Sequence, residues 1–141
     1  MTIHQISVFI ENKYGKLSEI LALLGSEHIR IIAATVADTS EYGILRLIVT
    51  EPEKAYKALK DNNVSANLTD VLAITCGPSA GSYADTLNCF TQSGLSIEYM
   101  YCFSLKEKSV LILRTNDKEA SGEVVRRNNL DFLCKNDLMN L

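Results

Sequence analysis

The chain has no block of lysine or arginine, and its formal net charge of −3 leaves no basic footprint for nucleic acid or a membrane surface. No apolar stretch approaches the roughly 18 residues of a membrane span. The opening residues, MTIHQISVFI, lack the basic region and cleavage site of a signal peptide, so a cytoplasmic protein is expected. The cysteines at 76, 89, 102 and 134 form no CxxC or short Cys/His pair of the kind zinc uses. His4 and His28, the only histidines, have no Asp, Cys or Ser beside them in a triad or metal pattern. GPSAGS has neither the spacing nor the Lys-Ser/Thr ending of a phosphate loop, and no pair of catalytic carboxylates stands out. No catalytic residue, metal ligand or cofactor is therefore nominated.

What remains is 47% hydrophobic and 22% charged over 141 residues, enough for a soluble globular core in one ordinary domain or two small ones. Sliding the chain against itself by 66 residues chooses two. Ile6, Val8 and Ile10 then fall on Leu72, Ile74 and Cys76, and Leu17, Leu21 and Leu24 on Tyr83, Leu87 and Phe90. Ile29, Ile31, Ala34 and Val36 fall on Leu95, Ile97, Met100 and Cys102, and Leu45 and Leu47 on Leu111 and Leu113. Few residues are identical, among them Gly15/Gly81 and Asn62-Asn63/Asn128-Asn129. The apolar pattern survives while the residues change, which is what a shared fold demands. Each cysteine has an aliphatic twin, so all four are read as reduced core thiols.

Each half reads strand, helix, strand, strand, helix, strand. Ile6-Val8-Ile10 alternates with period two, and Leu17, Ile20, Leu21 and Leu24 recur with helical spacing. Ile29–Val36 and Ile44–Val49 are strands about a turn at Glu41-Tyr42-Gly43. Thr50-Glu51-Pro52-Glu53 opens a helix with Thr50 as cap, and Asn116-Asp117-Lys118-Glu119 repeats the device. Asn62-Asn63 and Asn128-Asn129 end these helices, because Asn tolerates the left-handed conformation. The last strands are Val64–Thr69, running toward Leu72, and Leu130–Lys135. The expected class is α+β: two ferredoxin-like βαββαβ domains, residues 1–69 and 70–141, each a four-stranded antiparallel sheet with two helices on one face. Units this small have marginal cores alone. No Pro/Gly/Ser linker separates them.

The loop ENKYGK, between the first strand and the first helix, invites two readings. A helix N-terminus exposes unpaired N–H groups and partial positive charge, which suits a carboxylate. Gly15 permits a tight turn and close approach, Asn12 offers both an acceptor and donors, and Lys13 and Lys16 add positive potential. The plainer reading is a connector in which Asn12 caps the helix and Gly15 eases the bend.

ENKYGKLSEILALLGSEHIRI resembles the opening of an ACT domain, with its strand, N/D-x-P-G loop, Leu-rich helix and second strand. ADTSEYGILRLIV, residues 37–49, is similar to the hairpin that follows in proteins made of two such domains. Tyr14 stands where the family carries proline, and CGPSAGSYADTL has Tyr83 where the first repeat has Leu17. The resemblance implies a regulatory module binding an amino acid between ACT domains. The site would then take Asn12, Lys13, Tyr14, Gly15, Lys16 and Leu17 from the first loop, and Ser79, Ala80, Gly81, Ser82 and Tyr83 from the second. Ammonium acceptors would come from the second strands, around Ile31, Ile32 and Ala33 and around Ile97, Glu98 and Tyr99. A homodimer through ACT edges and an enzyme partner are further implications.

Tyr99 and Tyr101 share the face opposite Met100 and suggest an interface, matched by small Ala33 and Thr35 in the first repeat. Asp38 and Arg46 read as a solvated pair or turn. Three rivals stay open: a free-standing regulatory subunit of an amino-acid biosynthetic enzyme (acetolactate-synthase-like), an interaction module with a decayed ligand site, and a small enzyme.

Overall fold

The computed structural model describes residues 1–11, 15–38 and 42–141. The elements run β1 (Ile3–Glu11), α1 (Lys16–Ser26), β2 (Ile31–Asp38), β3 (Tyr42–Val49), α2 (Pro52–Asp61) and β4 (Ala66–Cys76). They continue as α3 (Ala80–Gln92), β5 (Ile97–Leu105), β6 (Lys108–Thr115), α4 (Lys118–Arg127) and α5 (Lys135–Met139). The chain divides into one compact unit of His4–Thr69 with Asn136–Leu141, and another of Met1–Ile3 with Asp70–Lys135.

In the first unit the strand order is β2-β3-β1-β4, and Ile6 faces Leu47 while Val8 faces Leu45 across an antiparallel ladder. In the second it is β4-β6-β5, with Leu72 facing Leu113 and Ile74 facing Leu111. The ferredoxin-like order of each unit follows, and β4 contributes its early residues to one and its later residues to the other. Equivalent backbone bonds recur 66 residues apart: Phe9 N to Ser65 O at 3.0 Å and Thr75 N to Asp131 O at 2.9 Å. The bulges recur as well, between Ile31 and Ala33 and between Ile97 and Tyr99.

One face of each sheet is closed by two helices. Ile6, Val8, Ile10, Ile20, Leu24, Leu45, Leu47 and Leu59 form one core, and Leu72, Ile74, Phe90, Leu111, Leu113 and Val124 the other. Burying such a side chain is worth roughly 1.5–3 kcal/mol. The opposite face also holds buried apolar residues: Ile48 and Ala33 in the first unit, and Val71, Ala73, Val110 and Ile112 in the second. The unbroken apolar run Val110-Leu111-Ile112-Leu113 is the sequence mark of a strand buried on both faces.

Several local expectations are met residue by residue. Asn63 and Asn129 sit at φ 60 and 52, and their preceding asparagines bond back to the Ala58 and Val124 carbonyls. His28 and its twin Gly94 both end a helix in the left-handed region, at φ 57 and 74. Pro52 occupies the first turn of α2.

Other expectations are corrected. Thr50 does not cap α2: the cap position is Glu51, without a side-chain bond, because the helix starts at Pro52, one residue later than the capping-box spacing needs. In α4 the cap is Asp117, which accepts from Ala120 N at 3.0 Å, while Asn116 accepts from Ser96 N instead. The final strand over 130–135 reduces to a bridge between Phe132 and Ile74, because the chain turns into α5 at Lys135. Leu21 is exposed on the outer side of α1. Cys102 is exposed rather than core, and its twin Val36 is 51% exposed. Both stand on β5 and β2, strands that pair on one side only among the described residues, and the helices do not reach over them at the hairpin end.

Candidate functional site

The ferredoxin-like topology brings the end of β1, the start of α1 and the β2–β3 hairpin to one end of the first unit. A cavity of about 250 Å³ lies there, lined by Ile10, Glu11, Gly15, Leu17, Ser18, Val36, Asp38 and Gly43. Ile10, Leu17 and Val36 supply apolar wall, while Asp38 and Glu11 supply carboxylates. The register explains the meeting: Ile10 and Asp38 both pair with Gly43 from opposite sides. A Cβ on Gly43 would make ordinary contact with the Ala37 carbonyl at 3.4 Å and with Asp38 Oδ1 at 3.8 Å.

Gly15 is the N-cap of α1 at φ 79, the left-handed region where glycine carries no Cβ penalty. Having no side chain, it cannot cap the helix, and the first-turn N–H groups of α1 receive no bond from it. Lys16 is half-buried and lies 3.8 Å from Glu19, one turn on. Asn12, Lys13 and Tyr14 lie outside the described residues, as does Glu41.

The second repeat treats the same place differently. Its helix starts at Ala80, the twin of Tyr14, so it begins two residues earlier than α1. Gly81 is therefore inside the first helical turn with no positive φ, and the expected equivalence with Gly15 does not hold. The reason is Ser79, whose Oγ accepts from Ser82 N at 3.1 Å and lies 3.0 Å from Ser82 Oγ. Ser82 in turn fills the space beside Gly77, where a Cβ would approach its Oγ to 2.8 Å. Tyr83 packs against the core together with Cys76. Burial pushes the Cys76 thiol above its ordinary pKa; a Thr86 contact works against this, and nearby Cys102 adds slightly to it.

The second-strand candidates do not join these loops within a unit. Ile31, Ile32 and Ala33 stand at the far end of β2 from Asp38, from about 17 to about 23 Å away at ~3.3 Å per residue. Ile97, Glu98 and Tyr99 occupy the matching place in β5. Both triplets span a bulge, which leaves Ile32 and Glu98 out of the ladder. Glu98 lies 3.6 Å from Arg114. Tyr99 and Tyr101 are half-buried.

Sequence reading passed over Ile10, Glu11, Ser18, Val36, Asp38 and Gly43 as cavity residues. The signal was available in the order βαββ, which places the first loop and the following hairpin at one end. A larger concavity of about 480 Å³ lies in the second unit against α4, between Met1 and Arg126. Its two basic side chains are already engaged, Lys118 with Asp70 and Arg126 with Glu123. Among the described residues no group of three or more His, Cys, Asp or Glu could hold a metal, and no helix is long and apolar enough to cross a membrane.

All of residues 1–141 match the family described as an ACT domain pair. The chain belongs to that family. A crystal structure of protein BT0572 from Bacteroides thetaiotaomicron is 39% identical, with a TM-score of 0.93 over 100% of this chain and 98% of that one. The ligand-free regulatory subunit of aspartate kinase from Thermus thermophilus superposes with a TM-score of 0.62 at 16% identity, over 88% of this chain and 91% of that one. The corresponding Thermus flavus subunit gives 0.60 at 16%, over 88% of this chain and 90% of that one. At that identity the two kinase subunits bear on the fold alone. Comparison with curated proteins gives no match. The ACT pair thus has its fold in common with these proteins, and its site is read from its own residues.

Proposed function

We infer that this ACT pair is a regulatory protein that binds an amino acid, with the first repeat's loop holding one end of the ligand. The observation that carries the reading is the small cavity between Gly15, Val36 and Asp38, which combines apolar wall, a carboxylate and a helix start that no N-cap side chain closes. Its volume of about 250 Å³ falls below the roughly 300–1,000 Å³ of pockets for drug-sized ligands and suits a small metabolite. Part of the ligand's ammonium coordination would come from the second strand of a neighbouring ACT domain, as the family resemblance implies. Binding energy spent on one arrangement of domains over another is what a regulatory effect requires. Among the described residues the cavity lining offers no activated nucleophile, and the role proposed is regulatory.

A thermal-shift screen of the twenty amino acids tests this. At least one should stabilise the protein, by an amount that grows with concentration. Val36→Phe, which fills the cavity from an exposed edge position, should abolish that stabilisation. Stabilisation unchanged by Val36→Phe would place the site elsewhere, and no response to any amino acid would favour an interaction module. The likeness to aspartate kinase regulatory subunits also makes co-purification of a larger catalytic chain worth measuring.

A further inference from the structure

We propose that the two repeats are not equivalent binding sites: the chain takes one amino acid, in the first repeat, and Asp38 selects it by its ammonium group. The proposal rests on the amino-acid reading above and adds stoichiometry and a specificity residue to it. Three observations carry it. At the second-repeat mouth, Ser79 caps Ser82 N at 3.1 Å, and Ser82 Oγ occupies the space beside Gly77. The place that Leu17 takes in the first repeat goes to the larger Tyr83, packed on the core. The carboxylate is also lost: Asp38 corresponds to Ser104 and Glu11 to Gly77.

Asp38 stands in the cavity lining at the end of β2, paired with Gly43 of β3. A carboxylate accepts hydrogen bonds from an ammonium and repels a second carboxylate, so it can orient a zwitterion and discriminate against its deaminated analogue. Ser104 has only a hydroxyl to offer at the twin position.

Titration calorimetry on the whole chain decides the matter, using each amino acid that gives a thermal shift and its 2-hydroxy acid counterpart. One equivalent per chain is expected for the amino acid. Asp38→Asn, an exposed change compatible with folding, should weaken amino-acid binding about tenfold, as expected for a lost charge-assisted bond at a solvated rim, and leave the hydroxy acid little changed. Ser82→Ala, in the second repeat, should leave both affinity and stoichiometry as they were. Two equivalents per chain, or an Asp38→Asn variant as tight as the parent, would overturn the proposal while leaving amino-acid binding established. If no amino acid binds the parent chain, both readings fall together.

Discussion

The loops that open α1 and α3 occupy one place in two copies of a fold, yet they solve the start of a helix in different ways. In the second repeat Ser79 supplies the missing acceptor, the helix begins early, Ser82 stands beside Gly77 and Tyr83 packs on the core. In the first, Gly15 turns the chain through a left-handed conformation, gives the helix start no side-chain cap, and borders the small cavity. The strand register around them is conserved to the residue, with Ile10 on Gly43 in one unit and Cys76 on Ser109 in the other. At this end of the fold the divergence lies in the loop and the hairpin facing it, while the strand register holds. A frame built for packing tolerates such change because loop residues carry little of the core.

The sharpest way to break this comparison is to replace both glycines. Gly15→Ala has space for its methyl, with nothing within 4 Å, but must hold an L-residue at φ 79, which costs about 1–2 kcal/mol. Gly81→Ala meets only Ser79 Oγ at 3.9 Å inside a helical turn, and should stabilise by about 0.4–1 kcal/mol. Urea unfolding of the two variants should therefore move the midpoint in opposite directions. Equal shifts would mean that the two glycines play one role after all.

How much of this was legible beforehand depends on which physical signal carried it. Apolar periodicity reports one-sided burial, so the repeat, the ferredoxin-like class and the core of Ile6, Val8, Leu45 and Leu47 could be read directly. The left-handed Asn63 and Asn129 were legible because few residues tolerate that conformation. Cap identity was not: Thr50 and Glu51 are one residue apart, and the choice depends on where tertiary packing starts the helix. Burial at a sheet edge was not legible either. Val36 and Cys102 share the phase of their core-facing neighbours, and only the reach of the helices decides that they stay uncovered. Asp38 reads in sequence as a solvated pair or turn for the same reason, since its place in the cavity lining comes from the hairpin's position opposite Gly15 rather than from its own neighbours in sequence.

A second pair separates helix starts away from the site. Asp117 caps α4 through Ala120 N at 3.0 Å, so Asp117→Ala should cost about 1 kcal/mol. Its twin Glu51 makes no such bond, and Glu51→Ala should change stability by less than about 0.5 kcal/mol. Thermal unfolding of the two variants side by side measures the difference. A loss as large at Glu51 as at Asp117 would show that charge near the helix start, rather than the cap bond, is what matters.

The smallest effect concerns the thiols at the second repeat's version of the cavity. Cys102 is exposed, whereas burial, outweighing the contact from Thr86, holds the Cys76 thiol above its ordinary pKa. A raised folded-state pKa means that the native chain keeps this proton after the unfolded chain has released it. The associated stability is fully present below the ordinary thiol pKa and is lost as pH rises through the folded value. Iodoacetamide at mildly alkaline pH should accordingly label Cys102 well before Cys76, because the thiolate is the reacting species, burial disfavours it at Cys76, and Cys102 is exposed. Mass-spectrometric peptide mapping over time reads the order. Reaction of both at one rate would show that Tyr83 and Ser82 open the second junction in solution, and that it resembles the first more closely than its packing indicates.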